Sequence, residues 1–108
     1  MVRPGDVVRA LFTFSDLSGA KIRPALVVSN KMFNTETRHV ILAGITTRPT
    51  HERFDLALEN WKEASLDFPS LVRTGRLMTA DIGLIKKIGT LTAKDMEKVK
   101  VLFKDIFF

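Results

Sequence analysis

Cysteine is absent from the 108-residue chain, which excludes disulfide staples and thiolate metal sites. Histidine is scarce as well: His39 and His51 are the only two, so apart from carboxylates a zinc site has few donors to draw on. No metal or cofactor is expected on that supply. Long hydrophobic runs are also missing. The opening Met1-Val2-Arg3-Pro4-Gly5-Asp6 meets charge and a turn at once, where a secretory signal would carry an apolar segment, and no later stretch could span a bilayer. A cytoplasmic protein with no membrane partner is expected. Internal repeats and low-complexity segments are lacking too, which argues against a solenoid or a disordered tail.

Against those absences stands the balance of an ordinary globular chain, with 45% hydrophobic and 27% charged residues. Length and composition together predict one domain over residues 1–108 with a single modest core. Seventeen Lys and Arg face twelve Asp and Glu, a formal net charge of +5, which favours an anionic partner such as nucleic acid or an acidic peptide. Charge alone does not choose between them.

The pattern along the chain is mostly β. Apolar or alternating runs predict strands over residues 7–12, 25–29, 39–46, 54–58 and 76–79, with a short pairing segment at 88–90. Residues 25–29 are continuously apolar and read as a strand buried on both faces, with Pro24 at its start because proline lacks the ladder N–H. Residues 13–22 and 30–37 read as polar loops. Thr92-Ala93-Lys94-Asp95 resembles a capping box, and Met96, Val99, Leu102, Phe103 and Ile106 follow at helical spacing, which predicts an amphipathic C-terminal helix. Trp61 is expected to anchor a short turn by packing. The fold class is thus mainly β, a small SH3-like or OB-like barrel with a C-terminal α-helix.

Several segments in order carry a family resemblance. Gly5-Asp6-Val7-Val8, the stretch with Phe12, Phe14, Asp16 and Gly19, and Arg23-Pro24-Ala25-Leu26-Val27-Val28-Ser29 come first. Ala43-Gly44-Ile45-Thr46-Thr47, Pro69-Ser70-Leu71-Val72-Arg73, Leu77-Met78-Thr79-Ala80-Asp81 and Ile88-Gly89-Thr90-Leu91 follow. In this order they resemble the PemK/MazF toxins across nearly the whole chain. The resemblance implies an SH3-like barrel, a homodimer, sequence-selective cleavage of single-stranded RNA without a metal, and inhibition by a cognate antitoxin.

Such cleavage has the 2′-hydroxyl attack the adjacent phosphorus, and the transition state gathers negative charge on the phosphoryl oxygens, where cationic and hydroxyl donors are needed. Arg23 suits that task because its guanidinium is always charged and its fork matches phosphate. By the resemblance, the Thr46 hydroxyl bonds the scissile phosphate, with Thr47 as the substitute, and Asp81 matches an acidic position near the site. One departure is Met78, at a position where the family frequently has arginine. Arg73 and Arg76 could replace that cation or be solvated strand-end charges. Arg48, in the basic stretch 48–53, is a candidate phosphate contact, and Phe14 a candidate stacking residue, while Phe12 reads as core. Lys21 and Ser29 complete the substrate contacts implied. His39 and His51 read as ordinary surface histidines. Neither arginine nor threonine is a general base at neutral pH, and no residue is assigned that role.

Rival readings come from other classes. One is a non-catalytic SH3-like module that binds nucleic acid or protein, and another is a toxin that has kept the fold without the activity, which Met78 would explain. A gyrase inhibitor like CcdB shares the fold type, but it relies on a C-terminal Trp-Gly-Ile where this chain has Lys104-Asp105-Ile106-Phe107-Phe108.

Overall fold

A computed structural model describes residues 2–13, 20–48 and 52–108. In chain order the elements are β1 (Asp6–Thr13), β2 (Ala20–Val27), α1 (Lys31–Thr37), β3 (His39–Thr46), β4 (Asp55–Ala57), β5 (Leu71–Asp81), a 3-10 turn (Ile82–Leu84), β6 (Lys86–Thr90) and α2 (Ala93–Phe107). The six strands form one sheet in the order β4-β5-β3-β2-β1-β6, with every neighbouring pair antiparallel. The mainly β fold with a C-terminal helix is as expected. The barrel is not: β4 and β6 end an open sheet, and among the described residues no ladder joins them.

Strand alternation divides the buried side chains between two faces. Val7, Leu26, Ala43, Ile45 and Val72 fall on one side and join Leu58, Ala64, Leu66, Leu91 and Val99 of α2. Val8, Ala10, Ala25, Val27, Val40 and Leu42 fall on the other, with Phe12 and Met78 packed against them. Both faces are covered, which is why residues 25–27 read as continuously apolar: Ala25, Leu26 and Val27 are all fully buried. Truncating a side chain such as Leu26 or Leu42 here costs about 2–5 kcal/mol.

Helix α2 closes the first face. Thr92 caps it by accepting the Asp95 N–H at 3.3 Å, while Val99 is buried and Met96 and Phe103 pack on the core. The capping box is not completed in the usual way. The Asp95 carboxylate, wholly buried, instead accepts the backbone N–H groups of Glu59 at 3.2 Å and Asn60 at 2.9 Å, tying the helix to the segment after β4. Trp61 packs beside this junction against the same core.

Three elements differ from the sequence expectation. The hairpin strands reach into residues 13–22, with Phe12 across from Lys21 and Thr13 across from Ala20. Pro24 therefore stands inside β2, across from Arg9, and not at its start. It is tolerated because β2 pairs with β3 only over Ala25–Val27, so one side of the strand carries no ladder at Pro24. Residues 31–37 form α1 in place of a loop: the Asn30 side chain accepts the Phe33 N–H at 2.9 Å, and Arg38 closes the helix in the left-handed region at φ 56.

The β5 strand is also longer than the stretch 76–79 suggested, because its ladder with β3 is interrupted. Ala43 pairs with Leu77 and the next residue, Gly44, pairs with Arg73, so Thr74, Gly75 and Arg76 bulge from the strand. That bulge shapes the site described next.

Candidate functional site

The register of the central strands brings Arg23 and Thr46 together. The β2–β3 ladder ends where Ala25 pairs with Gly44, and Arg23 and Thr46 each lie two residues beyond that pair on the same face of the sheet. Both line a groove of about 490 Å³. Its floor is Gly44 and Ile45 at the end of β3; Phe12 of β1 and Leu77 and Met78 of β5 form an apolar wall; Arg48, Arg73 and Arg76 complete a rim of four arginines with Arg23. None of these lining residues is a carboxylate or an imidazole. The groove is therefore built for an anion, and its apolar wall beside the cations suits a nucleotide better than a bare phosphate.

Each donor is held differently. Arg23 is half-buried and issues from β2 beside the rigid Pro24. Thr46 sits at the last position of β3, where its Oγ accepts the Arg48 N–H at 3.2 Å. With that oxygen used as an acceptor, the hydroxyl proton can be donated to a ligand oxygen. Arg73 is held by β4: its Nε donates to Asp55 Oδ1 at 3.4 Å, and its Nη2 lies 3.8 Å from Glu52 Oε2. Arg76 and Arg48 are exposed, the first on the bulge and the second just after β3. At Gly44 an added Cβ would meet nothing within 4 Å, so the glycine leaves open space at the floor.

The other residues named from the sequence are distributed more widely. Lys21 is exposed and two positions from Arg23 on the same face of β2, beyond the groove lining, and Thr47 is exposed between Thr46 and Arg48. Phe14 and His51 lie outside the described residues. Ser29 is not among the groove-lining residues. It is buried behind the sheet, where its Oγ donates to Asn34 Oδ1 and accepts the Ile41 N–H at 2.9 Å, which is a framework role. Asp81 is likewise remote: it pairs with His39 at the opposite end of β3 from Thr46, about 23 Å away at strand rise. Its carboxylate caps the 3-10 turn by accepting the Gly83 N–H at 2.7 Å. His39 is exposed at that far end, its ring nitrogen 2.7 Å from the Thr37 carbonyl.

Sequence reasoning missed Gly44, Ile45 and Leu77 as lining residues and Asp55 and Glu52 as the supports of Arg73. A glycine inside a strand is a signal of close approach by a ligand or another backbone, and it was available at Gly44.

The fold is thus an open antiparallel sheet with a terminal helix and a cationic groove beside its central strands. Over residues 3–107 the chain matches the PemK-like, MazF-like toxins of type II toxin-antitoxin systems, and it belongs to that family. Solved structures share the fold. A MazE–MazF complex from Deinococcus radiodurans is 21% identical with a TM-score of 0.77, covering 97% of this chain and 94% of that one. An endoribonuclease in complex with its cognate antitoxin, from a mycobacterial species, is 20% identical with a TM-score of 0.79, covering 97% and 93%. The Mycobacterium tuberculosis toxin MazF-mt6 is 20% identical with a TM-score of 0.70, covering 97% and 96%. No match was found among curated proteins. Among the described residues, no helix is long and apolar enough to cross a membrane.

Proposed function

We propose that this family member is a cytoplasmic, sequence-selective endoribonuclease that cuts single-stranded RNA, acts as a homodimer and is silenced by a cognate antitoxin. The observation that carries the reading is the convergence of Arg23 and the Thr46 hydroxyl on one groove whose lining, among the described residues, holds four arginines and no carboxylate. Relatives of the same fold described as an endoribonuclease and as complexes with an antitoxin support it.

In this reading the scissile phosphate lies between Arg23 and Thr46. The 2′-hydroxyl attacks phosphorus, the bond to the 5′-oxygen breaks, and a cyclic phosphate and a 5′-hydroxyl result. Arg23 neutralises the charge that builds on the phosphoryl oxygens, and the Thr46 hydroxyl donates to one of them and fixes its direction. Arg48 and Arg76 hold flanking phosphates, while Phe12, Leu77 and Met78 offer an apolar surface to a base. The reaction asks for no metal.

The test is incubation of purified, antitoxin-free protein with a long single-stranded RNA in excess chelator, beside Arg23→Ala and Thr46→Ala, with the cleaved ends mapped. Cuts at a short recurring sequence, lost in Arg23→Ala, are the expected result. Absence of cleavage by the well-folded protein across several RNAs would turn the assignment to a binding module or an inactive toxin, and equal cleavage by all three proteins would remove Arg23 and Thr46 from the site.

A further inference from the structure

Arg73 reaches the groove with two carboxylates attached, and the two are unlike. It stands directly across from Asp55 in the β4–β5 ladder and from Gly44 in the β3–β5 ladder, so it bridges the sheet edge and the groove floor. Asp55 has a side chain only 6% exposed, and it is fixed twice: Oδ1 accepts from Arg73 Nε at 3.4 Å, and Oδ2 accepts the Glu52 N–H at 3.1 Å. Glu52 has a side chain 69% exposed and touches the guanidinium from outside, at 3.8 Å from Nη2. A buried carboxylate on Nε orients the arginine, whereas an exposed, long contact on a terminal nitrogen is weak and readily exchanged.

We infer that Asp55 is a positioning residue that aims Arg73 into the groove, and that Glu52 is a resident counter-ion which an RNA phosphate displaces from Arg73. This rests on the reading of the groove as an RNA site. The terminal nitrogens of Arg73 are the fork that a phosphate would engage, and Glu52 occupies one of them in the unliganded protein. Exchanging a carboxylate for a phosphate conserves charge at the arginine, so the net gain on binding is reduced by the contact given up. The two carboxylates therefore act with opposite sign on affinity: Asp55 raises it through geometry and Glu52 lowers it through competition.

The experiment measures binding of a fluorescent 2′-O-methyl RNA oligonucleotide, which lacks the attacking hydroxyl, to wild type, Glu52→Gln, Asp55→Asn, Arg73→Ala and the double variant Glu52→Gln/Arg73→Ala, together with KM and kcat on cleavable RNA. Glu52→Gln is expected to tighten binding about twofold to fivefold and to lower KM with kcat unchanged. Asp55→Asn is expected to weaken binding and raise KM. In the Arg73→Ala background Glu52→Gln should have no effect, which separates competition at Arg73 from a general change in charge. Equal tightening by Glu52→Gln with and without Arg73 overturns the inference, as does no tightening in a wild type that binds. Wild-type protein that neither binds nor cleaves RNA overturns the functional reading and this inference together. If Asp55→Asn does not fold, the cycle between Glu52 and Arg73 decides alone, because Glu52 is exposed.

Discussion

The Oγ of Thr46 accepts the backbone N–H of Arg48 at 3.2 Å, so the hydroxyl is oriented by the turn that ends β3 before any ligand arrives. A donor fixed in this way loses no rotamer freedom when it meets a developing charge. Thr46→Val keeps the shape and removes both the acceptor for Arg48 and the proton that the proposed reaction offers to the phosphate. Its cleavage rate is expected to fall about 100-fold, in the range found when one transition-state donor is removed. Thr46→Ser keeps the hydroxyl and should retain activity within about tenfold, since only χ1 stiffness is lost. Single-turnover rates on one RNA check both; a fully active valine variant would exclude the hydroxyl from the chemistry.

Two strand glycines make a contrasting pair. A Cβ at Gly44 enters open space over the groove, whereas a Cβ at Gly89 would lie 2.2 Å from the Ala64 carbonyl oxygen and 2.9 Å from the Ser65 Cβ. Gly44→Ala should leave the melting temperature unchanged or slightly raised, since it restricts the unfolded chain by about 0.4–1 kcal/mol, and should raise KM by filling the floor. Gly89→Ala forces a Cβ into the Ala64 backbone, which must shift, and should lose about 2 kcal/mol or more. Thermal melts and KM for the two variants test this, and a Gly44→Ala protein with wild-type KM would mean that substrate does not approach β3 so closely.

What could be read from the sequence follows the strength of the local pattern. β3 was legible to the residue, because His39–Thr46 is a clean β-branched and apolar run ended by a polar threonine. α1 was not: Asn30 to Thr37 has no apolar periodicity, and its helix depends on the Asn30 cap and on Asn34 buried against Ser29. β5 was read short because the bulge at Thr74, Gly75 and Arg76 breaks alternation where the groove is made. The site followed the same logic. Arg23 and Thr46 were nameable because Arg23 precedes a readable apolar run, Thr46 ends one, and each lies in a segment that resembles the family. Asp55 with Arg73 depends on the β4–β5 register, which no local spacing encodes, and the β3–β5 register carries Asp81 away from the groove.

Asp95 illustrates a structural dependence that local capping rules miss. It is wholly buried and its two oxygens serve the Glu59 and Asn60 N–H groups, so Asp95→Ala strands two donors in the interior at the foot of α2. The expected loss is about 3 kcal/mol, lowering the melting temperature by about 10 °C or more. Asp95→Asn keeps one acceptor oxygen and should lose less. Denaturant unfolding of the two variants ranks them, and an alanine variant as stable as wild type would show that the segment after β4 is held by other contacts.

Beside that junction, on the surface, Glu59 accepts from both Lys94, at 2.8 Å, and Lys98 of α2. The hydrogen bond from Lys94 and then that from Lys98, reinforced by their charges, hold the Glu59 carboxyl down at about 2, against 4.5 in a free chain. Because the folded value is the lower one, the contribution of Glu59 to stability is present above pH 4.5 and disappears as the pH falls towards 2. The same contact raises Lys94 above 10.5, so its share is lost only as the pH climbs past that value. Glu59→Gln should therefore melt below wild type at neutral pH, with the gap closing between pH 4.5 and 2. Being exposed, the triad is screened by salt, so roughly 1 M sodium chloride should shrink the neutral-pH gap. Melting curves of both proteins from pH 2 to 7 at low and high salt measure it; a gap that persists unchanged at pH 2 would place the effect of the substitution in packing and not in charge.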